Sequence, residues 1–252
     1  MPQPYKNDFY NLLQKKKSEG YLFFNERSVI IDDQPFVYLE CNIDLEILEC
    51  AVNLAKEKSK YTMAQNQAAI ARDRITKIQK CAQGVLAEMF IHILLIERYG
   101  LNVLRYDLER ATFQYKTEEY DIKIVTSDGE YEVESRSSNI HHTDVCRFIN
   151  EDIIIGPYGN RVKITDELAD FHFRPVYMPD FAPFVYSNGQ YYYSQNLING
   201  DIKLVITGVA TKQDFIDYSY SKSLGQKGTT YSVVDVKIAS DVMAMDSKIT
   251  NL

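Results

Sequence analysis

Apolar and polar positions along this chain follow two different periods, and the change between them falls at Gly100. From about Tyr61 to Tyr99 the chain is rich in Ala, Gln, Lys, Ile and Leu at helical spacing, and Gly100 reads as the C-terminal stop. The pattern predicts one long helix or two, with Gly84 as the place for a break or for close approach by another backbone. Beyond Gly100 the period shortens to two. Asn102 to Tyr106, Tyr120 to Val125 and Glu130 to Ser135 read as strands, the last two joined into a hairpin by a Ser127-Asp128-Gly129 turn. Lys203 to Val209 is a further apolar strand, followed by a short helix from about Lys212 to Tyr218 and a final strand, Tyr231 to Val236.

This order predicts an α/β fold with a central mixed sheet flanked by helices. Residues 61–252 read as the core domain, and residues 1–60 as an N-terminal extension, α/β or helical, packed on it. Between Phe171 and Asn199 the composition shifts to Pro, Tyr, Phe, Asn and Gly, with Tyr191-Tyr192-Tyr193 on a hairpin, which predicts an inserted lobe at 171–199. The chain carries no internal repeat and no low-complexity linker.

Composition narrows the setting. A chain of 252 residues with 45% hydrophobic and 25% charged residues can bury a sizeable core. No apolar run approaches the ~20 residues of a membrane span, and the first residues, MPQPYKNDFYNLLQKKKSEG, have the order of neither a secretion signal nor a transit peptide. Cys41, Cys50, Cys81 and Cys146 are widely spaced and form no CxxC pair, which fits a reducing compartment. A cytoplasmic location is expected. The formal charge of -7 argues against coating nucleic acid by bulk electrostatics, but not against a DNA enzyme.

Where the acids lie matters more. Between Glu118 and Glu134 there are seven of them against one lysine, Lys123. Alternation on a strand sends Glu132 and Glu134 to one face and, on the neighbouring strand, Asp121 and Lys123 to one face. Across a hairpin the two pairs can meet at roughly 5 Å. Carboxylates that close raise one another's pKa unless a cation neutralises them, and a set made only of carboxylates selects Mg²⁺ or Mn²⁺. Acids on a hairpin are most often a solvated strand face. Against that reading stands Glu88, which lies among Val85, Leu86, Met89, His92 and Ile96 at helical spacing and so cannot be on a fully polar face.

Gly84-Val85-Leu86-Ala87-Glu88 in a helix, Glu119-Tyr120-Asp121-Ile122 on a strand and Glu132-Val133-Glu134-Ser135-Arg136-Ser137-Ser138 together resemble the PD-(D/E)xK nuclease superfamily, over roughly residues 65–150. The resemblance implies a restriction-endonuclease-like core and a Mg²⁺-dependent DNA endonuclease, with Mn²⁺ as substitute. It implies Asp121 as the first motif acid, Glu132 as the second, and Glu88 as the accessory helix acid. Glu134 then falls where the family has lysine, a Glu-x-Glu variant in which the third acid is a metal ligand or general base. Lys123 or Arg136 would supply the missing cation, with Lys123 preferred because lysine can shift its pKa and help deprotonate water. The implied enzyme is a type II restriction endonuclease acting on duplex DNA as a homodimer on a palindromic site. The alternative is a nuclease-like fold without catalysis, serving as a DNA-binding or assembly module.

Other clusters carry less. His141-His142-Thr143-Asp144 with Cys146 has zinc-ligand residue types, but adjacent histidines rarely reach one tetrahedral centre; the bland reading is polar residues at a helix start. Tyr191 to Tyr193, Tyr218 and Tyr220 with Lys222 and Lys227 suit nucleic acid, although strand packing accounts for any one tyrosine. Gly225-Gln226-Lys227-Gly228-Thr229-Thr230 lacks phosphate-loop spacing, and Lys15-Lys16-Lys17 reads as a solvated face.

Overall fold

The computed structural model describes residues 4–61, 73–110, 113, 120–158, 168–179, 184–187, 190–193, 195–224, 230–239 and 241–249. In chain order the elements are α1 (Pro4–Ser18), β1 (Phe24–Ile31), β2 (Gln34–Cys41), α2 (Leu45–Ser59), α3 (Arg74–Tyr99), β3 (Asn102–Arg105), α4 (Tyr106–Glu109), β4 (Ile122–Val125), β5 (Glu130–Ser135), β6 (Ser138–Asn139) and α5 (Val145–Glu151). There follow β7 (Ile153–Tyr158), β8 (Phe171–Phe173), β9 (Val176–Met178), β10 (Phe184–Ser187), β11 (Gln190–Tyr193), α6 (Gln195–Ile198), β12 (Lys203–Ile206), β13 (Val209–Thr211), α7 (Lys212–Tyr218), β14 (Tyr220–Ser223), β15 (Thr230–Asp235) and α8 (Val242–Ile249).

Local chemistry sets several of these limits. Asp44 caps α2 by accepting from the Ile47 N–H at 3.0 Å, and Asp73 caps α3 by accepting from the Thr76 N–H at 2.7 Å. Gly100 ends α3 with φ 65°, the left-handed conformation that glycine adopts without steric cost. Thr211 and Asp214 form a reciprocal capping box at the start of α7. Gly84 neither breaks α3 nor meets another backbone: the nearest neighbour to a Cβ placed there is Glu88 Oε1 in its own helix. The expected helix before Asp73 lies outside the described residues.

The fold is mixed α/β, with several mixed sheets flanked by helices. One five-stranded sheet has the order β1-β2-β12-β9-β6, and another β13-β8-β5-β4-β3. Three strands run from one into the other across two-residue spacers. β5 continues past Arg136 and Ser137 into β6, β8 past Arg174 and Pro175 into β9, and β12 past Thr207 and Gly208 into β13. Neighbour order is kept through the crossing: β5 and β8 are parallel, as are β6 and β9, while β8–β13 and β9–β12 are both antiparallel. Backbone hydrogen bonds from Arg136 N–H to Phe173 O (3.1 Å) and from Ser138 N–H to Pro175 O (3.2 Å) bridge the spacers. The two sheets are thus halves of one sheet folded along a line through Arg136, Arg174 and Gly208.

The sequence pattern put a single strand at Lys203 to Val209; the crease at Thr207-Gly208 divides it. It also assigned residues 171–199 to a lobe. Phe171–Phe173 and Val176–Met178 instead lie inside the bent sheet, because their apolar side chains are buried on both its faces, and the separate piece is the two-stranded ribbon β10–β11. The first 60 residues contribute β1 and β2 to the same sheet, with β2 hydrogen-bonded to β12.

One face of the bent sheet packs against α1, α2 and α3, with Ile122, Ile124, Val133, Phe171, Phe173, Tyr177 and Leu204 facing the helices. The other face packs on a second core that includes Phe148 and Ile149 of α5 and Phe215 of α7, over the β14-β15-β7 sheet. By length and composition α3 could cross a membrane, which the run of residues alone did not suggest, but 83% of its apolar window is buried in this core.

Candidate active site

The β4–β5 hairpin turns where the sequence predicts, with the Thr126 N–H donating to Gly129 O at 2.9 Å. Its register pairs Ile122 with Val133, Lys123 with Glu132 and Val125 with Glu130. Continued by one residue, that register sets Asp121 opposite Glu134, and the Ser135 N–H donates to Asp121 Oδ2 at 2.8 Å. The Glu132 and Lys123 side chains form a separate cross-strand pair toward the turn, a step of about 7 Å along the strand from Glu134. Glu132 is exposed, its backbone N–H donates to Asp170 Oδ2 at 2.8 Å, and Lys123 Nζ is 2.9 Å from Glu130 Oε2 and 4.6 Å from the Tyr120 ring centroid. The sequence pattern gathers Asp121, Glu132 and Glu134 and prefers Lys123 to Arg136 as the site cation. The hairpin register instead brings Asp121, Glu134 and Arg136 together and keeps Glu132 with Lys123.

Glu134 lies at the crease. Arg136 Nε donates to Glu134 Oε1, and the other arm of the guanidinium, Nη1, donates to Gly156 O of β7 at 2.8 Å. On the parallel neighbour β8, His172 sits level with Glu134, and its Nδ1 is 3.3 Å from Glu134 Oε2. Burial raises the Glu134 pKa, but contact with His172 and the Arg136 charge outweigh it and hold the carboxyl below its ordinary range. His172 itself is fully enclosed, its ring 4.5 Å from that of Phe215.

Asp121 has the opposite balance. Burial pushes its pKa up to about 6; the Ser135 N–H partly offsets this and the Glu134 charge adds to it. Its surroundings extend to the helical face of the sheet. Glu88 of α3, 7% exposed, is pushed up to about 8 by burial, with Lys58 opposing and Asp121 and Asp107 reinforcing. Lys58 Nζ on α2 is 2.6 Å from Asp107 Oδ2 and 3.7 Å from Glu88 Oε1. Burial disfavours the lysine charge, yet Glu88 and Asp107 hold it protonated, above the ordinary lysine range.

The expectation that Glu88 is a half-buried acid with a partner holds, and the partner is Lys58. Lys58, Asp107 and His172 were not singled out from the sequence. His172 carried one signal, a polar residue flanked by Phe171 and Phe173 in an apolar run; Lys58 and Asp107 carried none, because they meet Glu88 only through the packing of α2 and α4 against α3. Asp144, in the histidine-rich segment, caps α5 by accepting from the Arg147 N–H at 3.0 Å. Glu118, Glu119 and residues 225–229 lie outside the described residues.

Among the described residues no three His, Cys, Asp or Glu side chains converge on one point closely enough to cage a metal ion as they stand. The donor chemistry still fits a hard divalent cation, because Mg²⁺ is commonly held by one or two carboxylates, with water and substrate phosphate completing its shell. Asp121 and Glu134 supply such a pair; burial is the first cause of the raised Asp121 pKa, and the neighbouring Glu134 charge adds to it. No family model, no curated protein and no solved structure matches this chain.

Proposed function

We propose that this protein is a metal-dependent endonuclease hydrolysing phosphodiester bonds in DNA, with Asp121 and Glu134 as its paired acids and Arg136 as its cation. The observation that supports it most is the opposition of Asp121 and Glu134 across the hairpin, with Arg136 two residues beyond. This is the acid, acid, x, cation order of the PD-(D/E)xK nucleases, moved two residues along from the Glu132-x-Glu134 alignment, with arginine in the lysine place. A restriction-endonuclease-like core, duplex DNA and a homodimer on a palindromic site follow from that resemblance.

Asp121 and Glu134 would hold Mg²⁺ or Mn²⁺, which would polarise the phosphoryl oxygen and acidify a water molecule. In the reaction, water adds to phosphorus, the P–O3′ bond breaks and the 3′ oxygen leaves as a hydroxyl after gaining a proton. Glu88, with its proton affinity raised to about 8, is suited to accept a proton from water near neutral pH. Arg136 is fixed by Gly156 O and keeps its charge, so it can face the developing negative charge on phosphate without reorganising. His172 on the neighbouring strand lies beside Glu134, its Nδ1 3.3 Å from Oε2.

One observation favours the second reading, a nuclease-like module without catalysis: both Glu134 oxygens already face cationic or imidazole groups, Arg136 and His172. Incubation with long duplex DNA and Mg²⁺ or Mn²⁺, with Asp121→Ala and Glu134→Gln as controls, separates the two. Metal-dependent cutting lost in both variants is the expected result. DNA binding without cutting at any pH from 6 to 9 would leave only the module.

A further inference from the structure

On the helical side, away from Glu134, α1 and α2 enclose a cavity of about 260 Å³, whose wall includes Tyr5, Cys50, Asn53, Leu54 and the side chain of Arg105. Arg105 belongs to β3 and is 1% exposed, and among the described residues its Nε and Nη1 have no hydrogen-bond partner. Phe9 covers its planar face, with the guanidinium carbon 4.8 Å from the ring centroid. That contact leaves the Nε and Nη1 donors unused, and buried donors of a charged group are rarely left so. Burial lowers the Arg105 pKa, with Glu88 and Asp107 opposing, yet arginine stays protonated at any ordinary pH.

A second unsatisfied group lies beside it. His92 of α3 is fully buried, neither ring nitrogen has a partner among the described residues, and its ring packs 4.9 Å from Phe9 and 6.0 Å from Tyr10. Burial, then the Arg105 charge, push its pKa well below the ordinary histidine value, so it is a neutral imidazole with one N–H to give. The rim is of mixed charge: Lys15 pairs with Glu46, and Asp8 and Glu49 also line the opening.

We propose that this cavity is a binding site for a small organic anion, whose carboxylate or phosphate group takes the in-plane edge of Arg105. A guanidinium presents two parallel N–H groups to such an oxyanion, the geometry in which arginine binds most specifically. The cavity is many times the roughly 10–15 Å³ that one water needs, and its Tyr5, Leu12 and Leu54 walls suit a short carbon skeleton. The acids at the rim disfavour ligands of high negative charge and favour one that also carries an amine or hydroxyl. The inference does not depend on the nuclease reading, since it uses neither the hairpin nor a metal.

Thermal unfolding and calorimetry of the full chain, titrated with acetate, inorganic phosphate and glycerol 3-phosphate against chloride at matched ionic strength, test it. Binding of at least one of the three with one-to-one stoichiometry is expected. Arg105→Met should abolish it while leaving the apo protein at least as stable, because an unpaired buried charge is removed. Arg105→Lys, which keeps charge but not the fork, should weaken it about ten-fold. Asn53→Trp, at an exposed position of α2 on the cavity wall, should block binding without touching Arg105, and it gives an answer should the Arg105 variants fail to fold. Absence of binding by all three anions, or binding that survives Arg105→Met or Asn53→Trp, would overturn the proposal.

Discussion

Asp121 stands across the β4–β5 hairpin from Glu134, with its Oδ2 accepting the Ser135 N–H at 2.8 Å, whereas Glu132 faces Lys123 one pleat nearer the turn. The two acids of the Glu132-x-Glu134 segment therefore have different surroundings, and on the proposed function different roles. Glu134→Gln and Asp121→Asn should each lower DNA cleavage by 10²-fold or more, while Glu132→Gln should change it less than about three-fold. Single-turnover rates on one duplex, measured for all three, check this; a large loss in Glu132→Gln with Glu134→Gln near wild type would restore the alternative alignment.

Arg136 is held at both ends of its guanidinium, by Glu134 and by Gly156 O. Arg136→Lys keeps the charge but cannot make both contacts, so kcat should fall by about 10²-fold, with less change in KM, as expected for a group acting on the transition state. An equal or larger effect on KM would assign Arg136 to substrate binding.

Glu88 and Asp121 bind protons more tightly when folded than an ordinary carboxyl does, with pKa values of about 8 and about 6. From about pH 4 to pH 8 these two groups thus carry more protons in the folded chain than in the unfolded one. Their contribution to stability is full below that window and is lost as pH rises through it, by up to about 1.4 kcal/mol per pH unit for each group, while buried His92, held neutral, opposes it below the ordinary histidine range. Urea unfolding at pH 7 to 8 should show the decline, and Glu88→Gln should flatten it and be the more stable protein at pH 8. On the proposed function Mg²⁺ would bind the ionised acids, so the stabilisation it gives should be larger at pH 8 than at pH 5.5 and absent in Asp121→Asn.

Lys58 is the counter-charge for Glu88 and Asp107. Lys58→Met strands Asp107, the closer of the two acids, and should cost about 3 kcal/mol at neutral pH, where Glu88 is largely protonated. Much of that loss should return in Lys58→Met/Asp107→Asn. A double-mutant cycle by denaturant unfolding measures the coupling; additive effects would mean that the pair is not linked.

Gly156 has no space for a side chain, because a Cβ there would overlap the ring of Phe215. Gly156→Ala must move β7 or α7, at about 1–3 kcal/mol, and the same movement displaces the carbonyl that fixes Arg136. Cleavage should therefore fall with stability, though Gly156 touches no substrate. Thermal melts alongside cleavage rates check both arms.

How much of this was legible beforehand depended on range in sequence. β5 and α7 begin and end where alternation and helical spacing put them, since strand faces and caps are local. The hairpin register was also written in the turn: once Thr126 to Gly129 is the loop, Val125 pairs with Glu130 and Asp121 falls opposite Glu134. A Glu-x-Glu alignment of the motif puts Glu132 in the second acid's place, whereas that register sets Glu134 there. Lys58 and His172 could not be read, because they reach the acids from α2 and β8, which the sequence separates from the hairpin by many residues. Nor could the crease, which spans three strand pairs and leaves only short spacers of unlike composition, Arg136-Ser137, Arg174-Pro175 and Thr207-Gly208.

That crease makes the protein mechanically indivisible where Glu134, Arg136 and His172 come together. Because three backbones pass through it, neither half of the sheet can peel away without tearing the ladder of the other. Amide protons on both sides should then exchange with one common opening free energy, as a single cooperative unit. Glu134 and Arg136 stand on the fold line itself, so a ligand arriving there meets a rigid ridge of paired backbone, and whatever must move to admit it belongs to the surrounding helices and loops.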